Sequence, residues 1–243
     1  MRRSEQVGRD RTGMEPSFNP WLSIWTKPRA TIRRIVEENP NRSLWLLAFI
    51  YGLDSLISNA HALTLGQIIP PLILFPIIVI LSPIWGYAFF SILSAAVLFI
   101  GKLFGGIATF RAVRAAFAWS CVPFAVSLVL LFATVFIFGQ KLFMPNSVDQ
   151  GLSDKLTFLM FFILIAQVVL PIWSLIIYLK GLAEVQGYSV LKAIFNVILA
   201  SIVMLFVGWI VWQIGMSLEP LITSLFGLNK QTLKVGFLLI SGG

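Results

Sequence analysis

Apolar residues in this chain run on in long blocks, and polar residues gather in the gaps between them. From Ser43 onward, stretches of about 20 residues or more carry almost no Lys, Arg, Asp or Glu. That is the length an α-helix needs to cross the hydrocarbon core of a bilayer. The pattern predicts an all-α integral membrane protein with five transmembrane helices, at about 43–63, 77–100, 118–139, 156–178 and 190–213. The second apolar window, Ile68–Ile100, is longer than one straight crossing and carries Pro70, Pro71, Pro76 and Pro83. It reads either as one kinked helix with a lead-in or as two crossings. A basic amphipathic stretch from Thr109 leads into the third span, which is expected to kink at Pro123. Pro171 lies inside the fourth span, and Ser189 is placed to cap the fifth.

Ahead of the first span, residues 17–42 read SFNPWLSIWTKPRATIRRIVEENPNR. Pro28 suits the first turn of a new helix. In that helix Ile32, Ile35 and Val36 share one face, while Arg29, Arg33 and Arg34 point elsewhere. Trp21 and Trp25 are residues of the headgroup region, where arginines meet anionic lipid. The segment is expected to be an amphipathic interfacial helix, broken once, on the cytoplasmic leaflet; a helix tucked under the bundle is the alternative. Residues 1–16 read as a disordered basic tail, with Met14 an alternative start to Met1, and they lack the apolar run of a secretory signal. Residues 217–243 are expected to form an interfacial or re-entrant tail on the outer side.

Composition sharpens this picture. The chain is 12% charged against about 25% in soluble domains, and 58% hydrophobic, more than a soluble core can hide. The net charge of +8 would suit nucleic acid, but the basic residues flank apolar helices instead of forming one soluble face. If the second window crosses once, the cytoplasmic side holds Arg2, Arg3, Arg9, Arg11, Lys27, Arg29, Arg33, Arg34, Arg42, Lys102, Arg111, Arg114, Lys180 and Lys192. The outer side holds Lys141, Lys155, Lys230 and Lys234. That is 14 of the 18 basic residues against 4, so the N-terminus is expected inside and the C-terminus outside. The lone cysteine, Cys121, excludes an intrachain disulfide and reads as a small buried residue.

The candidate chemistry is sparse. Asp54 falls near the middle of the first span, where a charge is costly and such residues face the bundle interior. Tyr51, Ser55, Ser58, Asn59 and His61 extend a polar stripe on the same helix, and Gln167 and Asn196 are candidate neighbours from other spans. The stripe reads as a proton- or cation-linked pocket or as polar packing between helices. Gly86, Ser91, Ser94, Ala95 and Ala96 suit close helix approach. Gly105 and Gly106 with Arg111 and Arg114 suggest either a phosphate or headgroup site or a loop with anchoring arginines. Glu184 and Lys180 are placed to pair with those arginines or to face water. No phosphate-binding loop, nucleophile elbow or two-histidine metal motif occurs, so no cofactor, metal or catalytic residue is expected.

The blocks NPWLSIWTKPRATIRRIVEENP, GGIATFRAVRAAFAWSCVPF and LAEVQGYSVLKAI resemble prokaryotic members of the Yip family, the Ypt-interacting membrane proteins. Asn19, Pro20, Trp21, Pro28, Thr31, Ile32, Gly105, Gly106, Phe110, Pro123, Gly187 and Tyr188 carry the resemblance, which runs from about Asn19 to about Gly215. It implies a five-span bundle with a cytoplasmic N-terminus. Eukaryotic relatives bind prenylated Ypt/Rab GTPases, but this chain lacks the DLYGP-type motif of that branch, so the trafficking role is not carried over. The expected function is a non-enzymatic interaction or membrane-organising role in the cytoplasmic membrane. Its surface would be Trp21, Trp25, Arg29, Arg33, Arg34, Arg111 and Arg114, and its partners anionic lipid headgroups and a membrane protein or a second copy. The alternative is a small transporter or channel with a polar pocket around Asp54, Ser58, Asn59, His61, Gln167 and Asn196.

Overall fold

The computed structural model describes residues 18–63, 65, 69–138 and 154–226, and its regular structure is helical throughout. The tail at 1–16, the Met14 start, Lys141, Lys230 and Lys234 lie outside the described residues. Among the described residues eight helices follow in order: α1 (Pro20–Thr26), α2 (Pro28–Glu38), α3 (Leu44–Ala62), α4 (Pro71–Leu103), α5 (Phe110–Ser120), α6 (Val122–Phe138), α7 (Asp154–Gln186) and α8 (Val190–Phe226).

The two short helices at the start are separated by Lys27 because Pro28 has no N–H with which to continue α1. Asn19 caps α1 by accepting from Trp21 N at 3.0 Å. Thr31 Oγ1 lies 2.9 Å from both Ser23 Oγ and Lys27 O, which ties α2 back to α1. Ile24, Ile32 and Ile35 are fully buried in a core shared with Trp119 of α5 and Ile177 of α7. The apolar stripe of α2 is therefore covered by protein, while Arg29, Arg33 and Arg34 are exposed.

The long helices pack at two levels. Helices α3 and α4 touch backbone to backbone: a Cβ on Gly52 would lie 2.0 Å from Ser82 O, and one on Gly86 would lie 1.9 Å from Ala48 O. Small residues spaced four apart on both helices permit this approach. The second apolar window forms one continuous helix of 33 residues with Pro76 and Pro83 inside it, not two crossings. The expected kink at Pro123 appears as a break at Cys121, two residues earlier, between α5 and α6. The proline ring displaces the carbonyl one turn back and leaves acceptors free. Ser174 Oγ of α7 donates to one of these, Ser120 O, at 2.7 Å. At the other end of the chain α8 does not stop near Gln213 but continues to Phe226.

Among the described residues four stretches are long and apolar enough to cross a membrane: Leu72–Leu103, Phe110–Ala133, Phe161–Gln186 and Val190–Leu218. Helix α3 has 19 residues, but Asp54, Ser55, Ser58, Asn59 and His61 lower its hydropathy and it does not join them. Large apolar side chains point outward along these stretches, Leu72 at 87% exposure among them. Such faces have no place in water and are covered by lipid in a bilayer.

Candidate functional site

The intramembrane carboxylate is met by a residue that does not stand out in the sequence. Ser127 of α6 is buried, and its Oγ lies 2.8 Å from Asp54 Oδ1 and 2.8 Å from Gln167 Oε1. Three helices, α3, α6 and α7, thus meet at one hydroxyl. A hydroxyl has one hydrogen to donate. With an acceptor on each side, either Asp54 brings a proton or the Gln167 amide turns its NH2 toward Ser127. The available signal for Ser127 was its rarity, since Thr134 is the only other hydroxyl residue in α6. Among the described residues Asp54 makes no ion pair.

The rest of the polar stripe on α3 is divided among different surroundings. Trp85 Nε1 donates to Ser55 Oγ at 3.3 Å. The Tyr51 ring stacks on Phe89 at 5.1 Å and meets Phe124 edge-on at 5.6 Å. Ser58 and His61 are exposed, and Asn59 is half-buried. Asn196 does not join Asp54. It is fully buried near the start of α8, where its Nδ2 donates to Tyr188 Oη at 2.6 Å. Gln186, its neighbour across Gly101, lies 19 residues along α7 from Gln167, roughly 28 Å at the helical rise, so the two polar groups occupy opposite halves of the bundle.

That second group fastens the loop after α4. Gln186 accepts from Ile107 N through its backbone oxygen and from Ala108 N through Oε1, at 3.2 and 3.4 Å. A Cβ on Gly106 would lie 2.1 Å from Gln186 Oε1. Gly105 and Gly187, on the two facing turns, have φ of 78° and 71°, the left-handed region that favours glycine. Burial pushes the Tyr188 phenol above its usual range, an effect partly offset by the bond from Asn196.

On the basic face the two arginines of α5 part company. Arg111 is exposed, but Arg114 is buried and does not belong to an outer surface. Its guanidinium donates to Tyr87 Oη at 2.8 Å and Asn41 Oδ1 at 3.1 Å and lies over the Tyr87 and Phe110 rings. At 3.6 residues per turn, positions three apart are offset by about 60° around the axis. That offset is enough to turn Arg114 toward α3 and α4, which pack on α5, while Arg111 stays outside. The two arginines therefore do not converge on one phosphate. Glu184 pairs with Arg33 of α2, through Nε at 2.7 Å and through Nη2, and not with the arginines of α5. Arg34 bonds Glu38 at 2.6 Å and covers the Phe18 ring. Trp21 meets Trp119 edge-on at 5.4 Å, and Trp25 is half-buried against the same core.

Long apolar helices faced with exposed hydrophobic side chains, with polar residues tied up between them, define a polytopic membrane protein. The Yip1 domain family model matches residues 22–211, most of the 243-residue chain, and the protein belongs to that family. No curated protein and no solved structure matches it.

Proposed function

We propose that this Yip1-domain protein crosses the cytoplasmic membrane five times, α3 included, with its N-terminus in the cytoplasm and its C-terminus outside. In this reading it acts without catalysis, as an interaction or membrane-organising factor. Its working surface is the basic face formed by α1, α2, the start of α5 and the α7–α8 turn, which contacts anionic lipid and a membrane protein or a second copy. The observation that carries this reading is where the polar groups go. Asp54, Ser127 and Gln167 bond one another between helices and Asn196 bonds Tyr188 elsewhere, so Asp54, Gln167 and Asn196 are engaged in two separate places instead of lining one path. Among the described residues, Lys27, Arg29, Arg111, Lys180 and Lys192 stand on the basic face without an ion-pair partner.

Photocrosslinking in living cells tests it, with probes replacing Trp25, Arg111 and Tyr188. The expected result is one reproducible protein adduct from this face. If none of the three sites captures a protein, the interaction reading fails. A second reading has one observation in its favour: an intramembrane carboxylate without an ion-pair partner among the described residues, joined to two other helices through one hydroxyl. Under that reading Asp54→Asn abolishes proton- or cation-coupled flux in proteoliposomes.

A further inference from the structure

A cleft of about 450 Å³ opens on the basic face where the α1–α2 break meets the end of α7 and the start of α8. Lys27, Arg29 and Lys180 line it together with Thr26, Pro28, Ala30 and Val190, and most of the lining surface is apolar. All three cationic side chains are exposed, no acidic residue lines the cleft, and none of the three forms an ion pair among the described residues. The nearest carboxylate along α7, Glu184, lies one turn beyond Lys180 and is already held by Arg33. Three positive charges around one concavity repel one another until an anion sits among them. The first turn of α2 adds to this. Lys27 gives it no side-chain cap, so the N–H groups of Arg29 and Ala30, both in the wall, lack that partner.

We propose that this cleft seats the phosphate of an anionic phospholipid headgroup. A phosphate offers several acceptor oxygens to donors arriving from different directions, which suits a lysine, an arginine and a second lysine on separate elements. The membrane supplies it in place. Lys180 belongs to the candidate span Phe161–Gln186, and Val190 begins the next, Val190–Leu218. From there exposed Leu191, Phe195, Ile198 and Ile202 form an apolar track down α8, one along which acyl chains lie beneath a seated headgroup. The site deepens the proposed reading of this face and rests on its facing the lipid headgroups. It is also distinct from the Arg111/Arg114 pair that the sequence suggested.

The test uses the full chain, purified in detergent, with native mass spectrometry counting retained lipid. Phosphatidylglycerol and phosphatidylcholine are titrated in parallel, and inorganic phosphate is added as a competitor. Wild type is expected to retain one phosphatidylglycerol per chain in preference to phosphatidylcholine. Lys27→Gln/Arg29→Gln/Lys180→Gln should weaken that retention on the order of tenfold or more, while Lys102→Gln, exposed at the end of α4 and outside this face, leaves it unchanged. Equal loss in both variants, or no loss in the triple variant, overturns the site. Complete displacement by millimolar inorganic phosphate overturns the lipid assignment on wild-type protein alone. Single Lys180→Gln repeats the test if the triple variant does not fold. A missing protein partner in the crosslinking experiment would leave lipid retention intact, so the two failures are separable.

Discussion

Arg111 and Arg114 stand three residues apart on α5 and meet opposite environments. Arg114 bonds Tyr87 and Asn41 inside the protein, whereas Arg111 is exposed. Replacing a buried guanidinium bonded this way should destabilise by about 2–3 kcal/mol, against less than about 0.5 kcal/mol for an exposed one. Thermal unfolding of Arg114→Ala and Arg111→Ala in detergent checks this, and equal losses would contradict the placement. The hydroxyl of Ser127 allows a sharper comparison. Asn at position 54 can donate to Ser127 while Ser127 donates to Gln167, so Asp54→Asn should cost less than about 1 kcal/mol. Ser127→Ala leaves both end groups without their bridge and should cost about 1–3 kcal/mol. The reverse order of effects would mean that the network depends on the charge of Asp54. The sequence displayed Asp54 plainly, because a carboxylate is conspicuous in an apolar run. It hid Ser127, because a lone serine is not, and it could not show that Arg114 turns inward, because arginine is common on both kinds of surface near a membrane.

Among the helices, glycine marks where backbones meet. Gly52→Ala and Gly86→Ala each put a methyl group against the backbone of the facing helix and should destabilise by about 1–3 kcal/mol or more. On α8, a methyl group added at Gly208 would meet nothing within 4 Å, and Gly208→Ala should be neutral or stabilising by up to about 1 kcal/mol. Thermal melts of the three variants side by side separate the cases. The break between α5 and α6 carries its own test: Ser174→Ala removes the donor to Ser120 O and should cost about 1–2 kcal/mol in the same assay. Helix starts were legible from local chemistry. Pro28 opens α2, Thr109 caps α5 through Ala112 N, and Ser189 caps α8 through Lys192 N. Helix ends and pairings were not. Lipid-facing and protein-facing positions are both apolar in α7 and α8, so periodicity carries little contrast and cannot say which side meets a neighbour. The same loss of contrast concealed that Asn196 and Gln167 belong to different halves of the bundle.

Across the molecule as a whole, orientation rests on charge. In the proposed five-span reading the 18 basic residues divide 14 to 4 between the two sides, so a reporter fused after Gly139 should read outside and one fused after Gly181 inside. The opposite pair of results would invert or break the five-span reading. The geometry of α8 adds a property of another kind. Its apolar stretch of 29 residues is about 43 Å long at the helical rise, against about 30 Å of hydrocarbon. From Leu205 to Val211 its side chains are exposed, so packing does not fix the helix there at one inclination. The anchored beginning of α8 acts as a pivot and the bare remainder as a pointer, whose lean follows from the thickness of whichever bilayer surrounds it.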